Sequence, residues 1–214
     1  EQQINRFLHV PESSLDLVQK NKMQRRMGQL TGTCFQRCAG LDTLSVLFSI
    51  TYDIDKQHGT PYHERFVSFL KKAQSHNLIV GAGMTDPKGD RSKRPSSQSD
   101  PDLFMHVTRR TKEGLYVKGA KAHMTGGLNS HWICVMPTMN MLEADKDYAV
   151  IGMVPATAPG LTYVYGRQSC DTRALEPGDI DKGNAKYGGQ ETLVIFDDVF
   201  IPWAHVLMDG EYEF

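Results

Sequence analysis

Two different spacings of apolar residues divide the chain into a helical first part and a strand-rich second part. In the first part, apolar side chains recur at near-helical intervals in three segments, residues 13–30, 41–59 and 61–77. Ser13 or Ser14 suits the N-cap of the first segment, and Pro61 suits the first turn of the third. The pattern therefore predicts three helices joined by short turns.

After residue 77, short runs rich in β-branched and aromatic residues alternate with Gly, Pro, Asn and Asp. These runs are residues 78–84, 102–110, 115–124, 131–138, 148–156, 161–166 and 192–202. They predict an antiparallel β domain, so the fold class is α+β. The polar stretch "GDRSKRPSSQSDPD", residues 89–102, predicts a long loop that is functional or mobile.

The predicted organisation has three parts. We expect a partial helical domain at residues 1–77 and a β domain at residues 78–207. Residues 208–214, which end in "GEYEF", have the glycine-then-acidic sequence expected at the start of a further helical domain. The chain opens with "EQQINRF", without an initiator Met or a leader, so it is expected to be a fragment of a longer polypeptide.

Charge and cysteine content restrict the function classes. The 214 residues include 24 Lys and Arg against 25 Asp and Glu, so no bulk charge favours nucleic acid or an anionic membrane as partner. No apolar run approaches the roughly 20 residues that a membrane-spanning helix needs. Only four cysteines are present. This sparse content predicts a reducing, cytoplasmic setting rather than a disulfide scaffold.

Two cysteines four residues apart, Cys34 and Cys38 in "TGTCFQRCAG", raise three alternatives. On a helix they share a face with Cβ atoms roughly 5–6 Å apart, which is long for a disulfide. Two thiolates at that spacing suit half of a metal or iron–sulfur site, which needs four ligands. Spacing alone favours two buried packing residues. Neither Cys134 nor Cys170 has neighbours that complete a site.

Three motifs of the β domain also carry candidate chemistry. "MTDPKGDRSKR", residues 84–94, combines a turn with basic side chains, which suits a phosphate, a ring edge or a plain surface turn. "KAHMTGG" places Thr125 at a strand end, on the strand face that His123 is expected to share with Lys121. Glu191 lies at the entrance of an apolar strand, where a carboxylate is either a general base or a solvated strand end.

Taken together and in this order, "MTDPKGDR", "KAHMTGG" and "FDDVFIPW" resemble the middle β domain of the acyl-CoA dehydrogenase-like flavoproteins, in the 4-hydroxyphenylacetate 3-hydroxylase branch. Within that branch, "TGTCFQRCAG" is similar to the 4-hydroxybutyryl-CoA dehydratase family, whose members also isomerise vinylacetyl-CoA. The resemblance covers nearly the whole chain. It implies a barrel-like β domain and a C-terminal helical domain that this chain lacks.

The resemblance implies FAD, a [4Fe–4S] cluster and an acyl-CoA substrate in a homotetramer. It implies a radical dehydration of 4-hydroxybutyryl-CoA to crotonyl-CoA. Cys34 and Cys38 match cluster ligands, and the remaining ligands are expected beyond Phe214. Gln36, Thr125 and Glu191 match catalytic residues. The residues that match flavin neighbours are Met84, Thr85, Asp86, Lys88, Arg91, His123 and Thr125.

Two other functions remain open at this point. A two-component FAD-dependent aromatic monooxygenase of the same branch would use reduced flavin and O₂ without iron. A non-enzymatic interaction module would use the cysteines only for packing. The cysteine pair favours the dehydratase over the first alternative, and three ordered flavoprotein-like motifs argue against the second.

Overall fold

The fold begins with helices and continues as a sheet. The structure is a computed structural model that describes residues 3–34, 38–166, 168, 171 and 179–214. Its helices are α1 (Ser14–Thr31), α2 (Cys38–His58), α3 (Tyr62–His76) and α4 (Asp179–Tyr187). The side chain of Ser13 accepts a hydrogen bond from the amide of Asp16, and Asn77 ends α3 in the left-handed conformation. The three predicted helices are confirmed, whereas α4 was not predicted.

Eight strands form one sheet. They are β1 (Val80–Gly83), β2 (His106–Arg110), β3 (Gly114–Thr125), β4 (Trp132–Val135), β5 (Val150–Pro155), β6 (Leu161–Val164), β7 (Glu191–Pro202) and β8 (Val206–Asp209). Their order is β6-β7-β3-β1-β4-β5-β8, and β2 pairs with β3. Each of the seven predicted runs contains a strand, so the predicted α+β arrangement of helices followed by a sheet is confirmed.

One strand pair departs from the predicted antiparallel sheet. β1 and β4 run parallel, with Gly83 opposite Val135, while the other pairs of the described strands are antiparallel. The prediction failed here because the chain crosses the sheet through β2 and β3 before it returns as β4. The C-terminal ends of β1 and β4 therefore emerge side by side, beside Thr125 of β3, whose partner on β1 is Ala82.

The helices α2 and α3 cover one face of this sheet. Leu47 of α2 and Phe66 of α3 are fully buried in the same core as Ile133 and Met153 of the sheet. At the start of α2 the backbones come so close that a Cβ on Gly40 would collide with the carbonyl oxygen of Val80. Apolar burial thus joins the helical segment to the strands that position the candidate site.

The last residues of the chain end in a strand and a turn. Met208 and Asp209 complete β8, and the following residues to Phe214 make a turn, so the helical start predicted at residues 208–214 does not form within them. β8 forms because its apolar residues pair with β5 and enter the core. The division of the chain at residues 77/78 and 207/208 stays a prediction. No helix in the described part of the chain has the length and apolar composition of a membrane span.

The loop at residues 89–102 is fixed by one buried carboxylate. Asp145 accepts hydrogen bonds from the amide and hydroxyl of Ser96 (3.1 and 2.6 Å) and from Nε of Arg94 (2.9 Å). It also accepts one from the amide of Leu142. Burial alone would raise the pKa of this carboxyl, but the hydrogen bonds from Ser96 and Arg94 outweigh burial and hold the pKa below its usual value.

We expect Asp145→Ala to lower the free energy of unfolding by about 2–3 kcal/mol at pH 7, because charge-assisted hydrogen bonds are lost and their donors left unpaired. Because the pKa of Asp145 is lower in the folded than in the unfolded protein, its ionised form stabilises the fold at pH values above the ordinary carboxyl pKa. That stabilisation is lost as the pH falls through the folded-state pKa. The difference in the free energy of unfolding between wild type and variant should therefore become smaller below about pH 4. Urea unfolding of both proteins at pH 7 and at acidic pH measures it. A pH-independent gap would contradict this account.

Candidate active site

An irregularity in β3 sets the direction of the candidate residues at its end. The register with β7 shifts between Lys121 and Met124, and His123 between them has a φ of 51°. This β-bulge breaks the alternation that was predicted to put Lys121, His123 and Thr125 on one face. Lys121 is buried, His123 is exposed and Thr125 is half-buried. The prediction of a shared face is therefore wrong.

Thr125 and Glu191, 66 residues apart in sequence, form a hydrogen-bonded pair. They are register partners where β3 meets β7, and the Thr125 hydroxyl donates to the carboxylate at 2.9 Å from Oε1 and 3.2 Å from Oε2. The backbone amide of Glu191 donates to Oε1 of Gln168 (2.9 Å). Both residues of the pair are half-buried, so the structure brings two of the predicted catalytic residues into direct contact at an accessible site.

The Cys34 segment reaches the entrance of β7. The amide of Gly189, two residues before Glu191, donates to the carbonyl oxygen of Cys34 at 3.3 Å. The side chains of Thr33 and Asn184 are hydrogen-bonded, and a Cβ on Gly183 would collide with the carbonyl of Thr31. The close packing of α4 on the end of α1 therefore holds the first cysteine near the Thr125–Glu191 pair.

The described residues do not form an iron–sulfur site by themselves. Cys34 is a free, exposed thiol, and Cys38 is the first residue of α2, with its side chain not described. Gln36, predicted as catalytic, lies outside the described residues. Within the described part of the chain, no group of three or more His, Cys, Asp and Glu side chains is arranged to hold a metal. Because a [4Fe–4S] cluster takes four protein ligands, these residues do not complete one.

The predicted flavin loop starts where β1 ends. The carbonyl of Thr85 accepts a hydrogen bond from the amide of Ala122 (2.7 Å), so the loop is attached to β3 just before Thr125. Among the predicted flavin neighbours, Met84, Lys88 and Arg91 have exposed side chains. Asp86 is 2% exposed and its carboxylate faces the protein interior. In this geometry the carboxylate of Asp86 supports the loop through Lys121, and its contact with a flavin stays a prediction.

A cavity of about 450 Å³ lies beside Glu191. It has apolar and aromatic walls, a carboxylate, an imidazole and a primary amide. Its lining residues are Ala122, His123, Val164, Tyr165, Gly166, Gln168, Gly189, Glu191, Thr192 and Leu193. Sequence reasoning missed Val164, Tyr165 and Gln168. Only the proximity of β6 to β7 reveals them, because "YVYGRQ" carries no ligand signature of its own.

Three larger cavities in the described part of the chain lie away from this site. One, of about 630 Å³, lies along α1 and includes Lys20, and one of about 560 Å³ lies beside it and includes Ile4. The third, of about 790 Å³, lies between α2 and α3 and includes Tyr52 and His63. None of the three is lined by a residue that the sequence motifs single out. We assign the site to the smaller cavity because the hydrogen-bonded acid and the cysteine segment converge there.

Comparison with known proteins identifies the family of the chain. A family model described as 4-hydroxyphenylacetate 3-hydroxylase N terminal matches residues 1–208. The chain is 54% identical to a protein from Clostridium aminobutyricum named 4-hydroxybutyryl-CoA dehydratase/vinylacetyl-CoA-Delta-isomerase, over 99% of the chain and 43% of that relative. It is 28% identical to the oxygenase component of 4-hydroxyphenylacetate 3-monooxygenase from Thermus thermophilus, over 71% of the chain and 31% of that relative.

Solved structures agree as well. An oxygen-tolerant archaeal 4-hydroxybutyryl-CoA dehydratase from N. maritimus matches with a TM-score of 0.92 and 61% identity, over 98% of the chain and 42% of that protein. The FAD complex of a 4-hydroxyphenylacetate 3-monooxygenase oxygenase component shares the fold, with a TM-score of 0.79 at 23% identity, over 99% of the chain and 43% of that protein. The chain thus spans less than half the length of these four relatives. It belongs to the 4-hydroxyphenylacetate 3-hydroxylase family, and within it is similar to the 4-hydroxybutyryl-CoA dehydratases.

Proposed function

We propose that the full-length protein that contains this chain dehydrates 4-hydroxybutyryl-CoA to crotonyl-CoA with the help of FAD and a [4Fe–4S] cluster. The observation that carries the proposal is the Thr125–Glu191 hydrogen bond, on a strand whose entrance is bound to the Cys34 backbone through Gly189. It occurs in a chain that is far more similar to two dehydratases than to the monooxygenases of the same family.

The overall reaction defines the task of Glu191. Conversion to crotonyl-CoA removes a hydrogen from C2 and another from C3, removes the hydroxyl from C4 and adds a hydrogen to C4. One proton must therefore leave with the hydroxyl as water, and another must return to carbon. A half-buried carboxylate in a cavity wall can accept a proton from carbon and deliver it again. We assign one of these transfers to Glu191.

Thr125 orients that carboxylate. Its hydroxyl has one donor hydrogen, which is given to Glu191 in this structure, and two acceptor lone pairs. Because the Thr125 hydroxyl contacts both carboxylate oxygens and the backbone of Glu191 belongs to β7, the carboxylate has a fixed direction. This reduces the entropic cost of ordering it against a substrate carbon. Contact of the Thr125 hydroxyl with the reactive ring edge of a flavin stays a prediction.

The residues around the cavity fit part of a flavin. A volume of about 450 Å³ with Tyr165 and Val164 in its wall suits a planar ring system. The exposed Lys88 and Arg91 on the loop after β1 have the charge that a diphosphate needs. When bound, FAD supplies one-electron oxidation and reduction. The other predicted neighbours, Met84, Thr85 and His123, are part of the same proposal.

The cluster needs ligands from outside the described residues. Cys34 and Cys38 would hold two of its four positions, and we derive no step through it. The same resemblance also implies a catalytic role for Gln36, isomerase activity and homotetrameric assembly, and the sparse cysteine content implies a cytoplasmic location. All four stay predictions.

The purified full-length protein, isolated without oxygen, tests the proposal. We expect it to contain flavin and iron and to convert 4-hydroxybutyryl-CoA to crotonyl-CoA, followed by chromatography of the CoA esters. Phenol hydroxylation with reduced flavin and O₂, in a protein without iron, would instead support the monooxygenase. A protein that contains no flavin and leaves both substrates unchanged would refute both functions.

A further inference from the structure

A fully buried lysine lies under the candidate site. Lys121 of β3 is 1% exposed, and its ammonium nitrogen is 2.7 Å from Oδ1 of Asp86. It also donates to the carbonyl oxygens of Met136 (2.8 Å) and Met84 (3.0 Å). An ammonium group has three hydrogens, and here each of the three finds an acceptor. Lysine is rarely buried to this extent unless it is paired in this way.

The three acceptors come from two neighbouring strand ends. Met84 directly follows β1, and Met136 directly follows β4, the strand that runs parallel to it. The Met136 amide donates to the carbonyl of Gly83 (3.1 Å), which is the last pairing between the two strands. Beyond this hydrogen bond the segments that follow β1 and β4 no longer pair. The carbonyl oxygens of Met84 and Met136 accept hydrogen bonds from the Lys121 ammonium group instead.

The same contact fixes the loop after β1. Asp86 lies two residues beyond Met84, and its carboxylate also accepts from the amide of Met105 at 3.5 Å. Burial lowers the pKa of Lys121 and raises that of Asp86, while the attraction between the two groups opposes both shifts. Two charges have been removed from water here, which costs more than packing two apolar side chains would. Stability alone does not account for such a pair.

We propose that Lys121 is a positioning residue for cofactor binding: its ammonium group, paired with Asp86, holds residues 84–88 in the conformation that receives the flavin. The proposal rests on the proposed function, because that function requires a flavin at this loop. The loop begins next to Thr125, since Ala82 is the β1 partner of Thr125. Lys121 thereby sets the distance between the loop and the Thr125–Glu191 pair.

The test uses a double substitution, Lys121→Met with Asp86→Leu, in the full-length protein. It removes both charges together, so no unpaired buried charge is left, and it keeps apolar bulk in the space. We expect a cooperative thermal transition close to that of wild type. We expect the dissociation constant for FAD, titrated into flavin-free protein, to rise about 10- to 100-fold, as for other residues that support a ligand site from behind. Backbone amides of residues 85–91 should exchange with deuterium faster.

A matched control is Lys118→Met on the same strand. Lys118 is half-buried and its ammonium group is paired with the exposed Asp197, away from the loop, so its loss should leave FAD affinity and loop exchange unchanged. Wild-type affinity in a folded double variant would overturn the proposal. If the double variant does not fold, hydrogen exchange in the wild-type protein is the deciding measurement. Bound FAD must then slow the exchange of the backbone amides of residues 85–91, and an unchanged exchange rate there would overturn the proposal. A wild type that binds no FAD refutes the proposed function, whereas unchanged loop exchange in the flavin-free variant refutes the positioning role.

Discussion

Replacing Glu191 with Gln in the full-length protein is expected to lower kcat for dehydration by about 10²- to 10⁴-fold, the usual contribution of a positioned general acid or base. The substitution is nearly isosteric, and the amide oxygen still accepts the hydrogen bond of Thr125. What the variant loses is the ability to take up and return a proton. KM should change little, because the shape of the cavity wall is kept.

Two further variants make this prediction specific. Glu113→Gln changes an exposed glutamate in the turn between β2 and β3 and should leave kcat unchanged. Thr125→Val removes only the hydroxyl and should lower kcat less than Glu191→Gln does, because the carboxylate remains but is less well oriented. If Thr125 acts through Glu191, Thr125→Val should reduce kcat by a smaller factor in the Glu191→Gln background than in the wild-type protein. The rate of crotonyl-CoA formation by wild type and the four variants measures this, and a Glu191→Gln variant of near wild-type rate would exclude Glu191 as the proton carrier.

The helices and strands with a clear apolar period were predictable from the sequence, and the elements without one were not. The helix α3 has a strong apolar face, a proline just before its start and Asn77 at its end. By contrast, α4 is a short polar segment with Gly183 inside it, and it packs where that glycine meets Thr31. Its position depends on contact with α1, which is distant in the sequence, so no local pattern of residues predicts it. The strand β8 was missed as well, because it forms by pairing with β5, which is distant in the sequence.

The candidate site was predictable as a set of motifs but not as an arrangement. Motif resemblance indicated Thr125 and Glu191 separately, but their contact depends on a bulge at His123 that shifts the register by one residue. A bulge leaves no signal that alternation can reveal. Lys121 was missed for a different reason, since lysine in a strand is normally exposed. The parallel pairing of β1 and β4 creates the divergent carbonyls that it binds.

Replacing Cys34 with Ser in the full-length protein is expected to abolish dehydration and to remove most of the bound iron. A [4Fe–4S] cluster is held by thiolates, and a serine hydroxyl is a far poorer ligand for iron at neutral pH. Cys34 is exposed on a segment tied to Gly189, so the substitution removes no core packing and leaves that backbone contact in place. Any loss of iron would therefore come from the missing ligand rather than from unfolding.

Cys134→Ala is the matched control for this experiment. Burial raises the pKa of the Cys134 thiol to about 12, so it stays protonated at neutral pH and cannot act as a thiolate ligand. Its loss should lower stability through a small cavity and leave the iron content unchanged. Iron and acid-labile sulfide per subunit, measured together with flavin, separate the two cysteines. Full iron content and wild-type rate in Cys34→Ser would mean that the pair at residues 34 and 38 does not hold a cluster. The case for a dehydratase would then rest on the Thr125–Glu191 pair and on the similarity to known dehydratases.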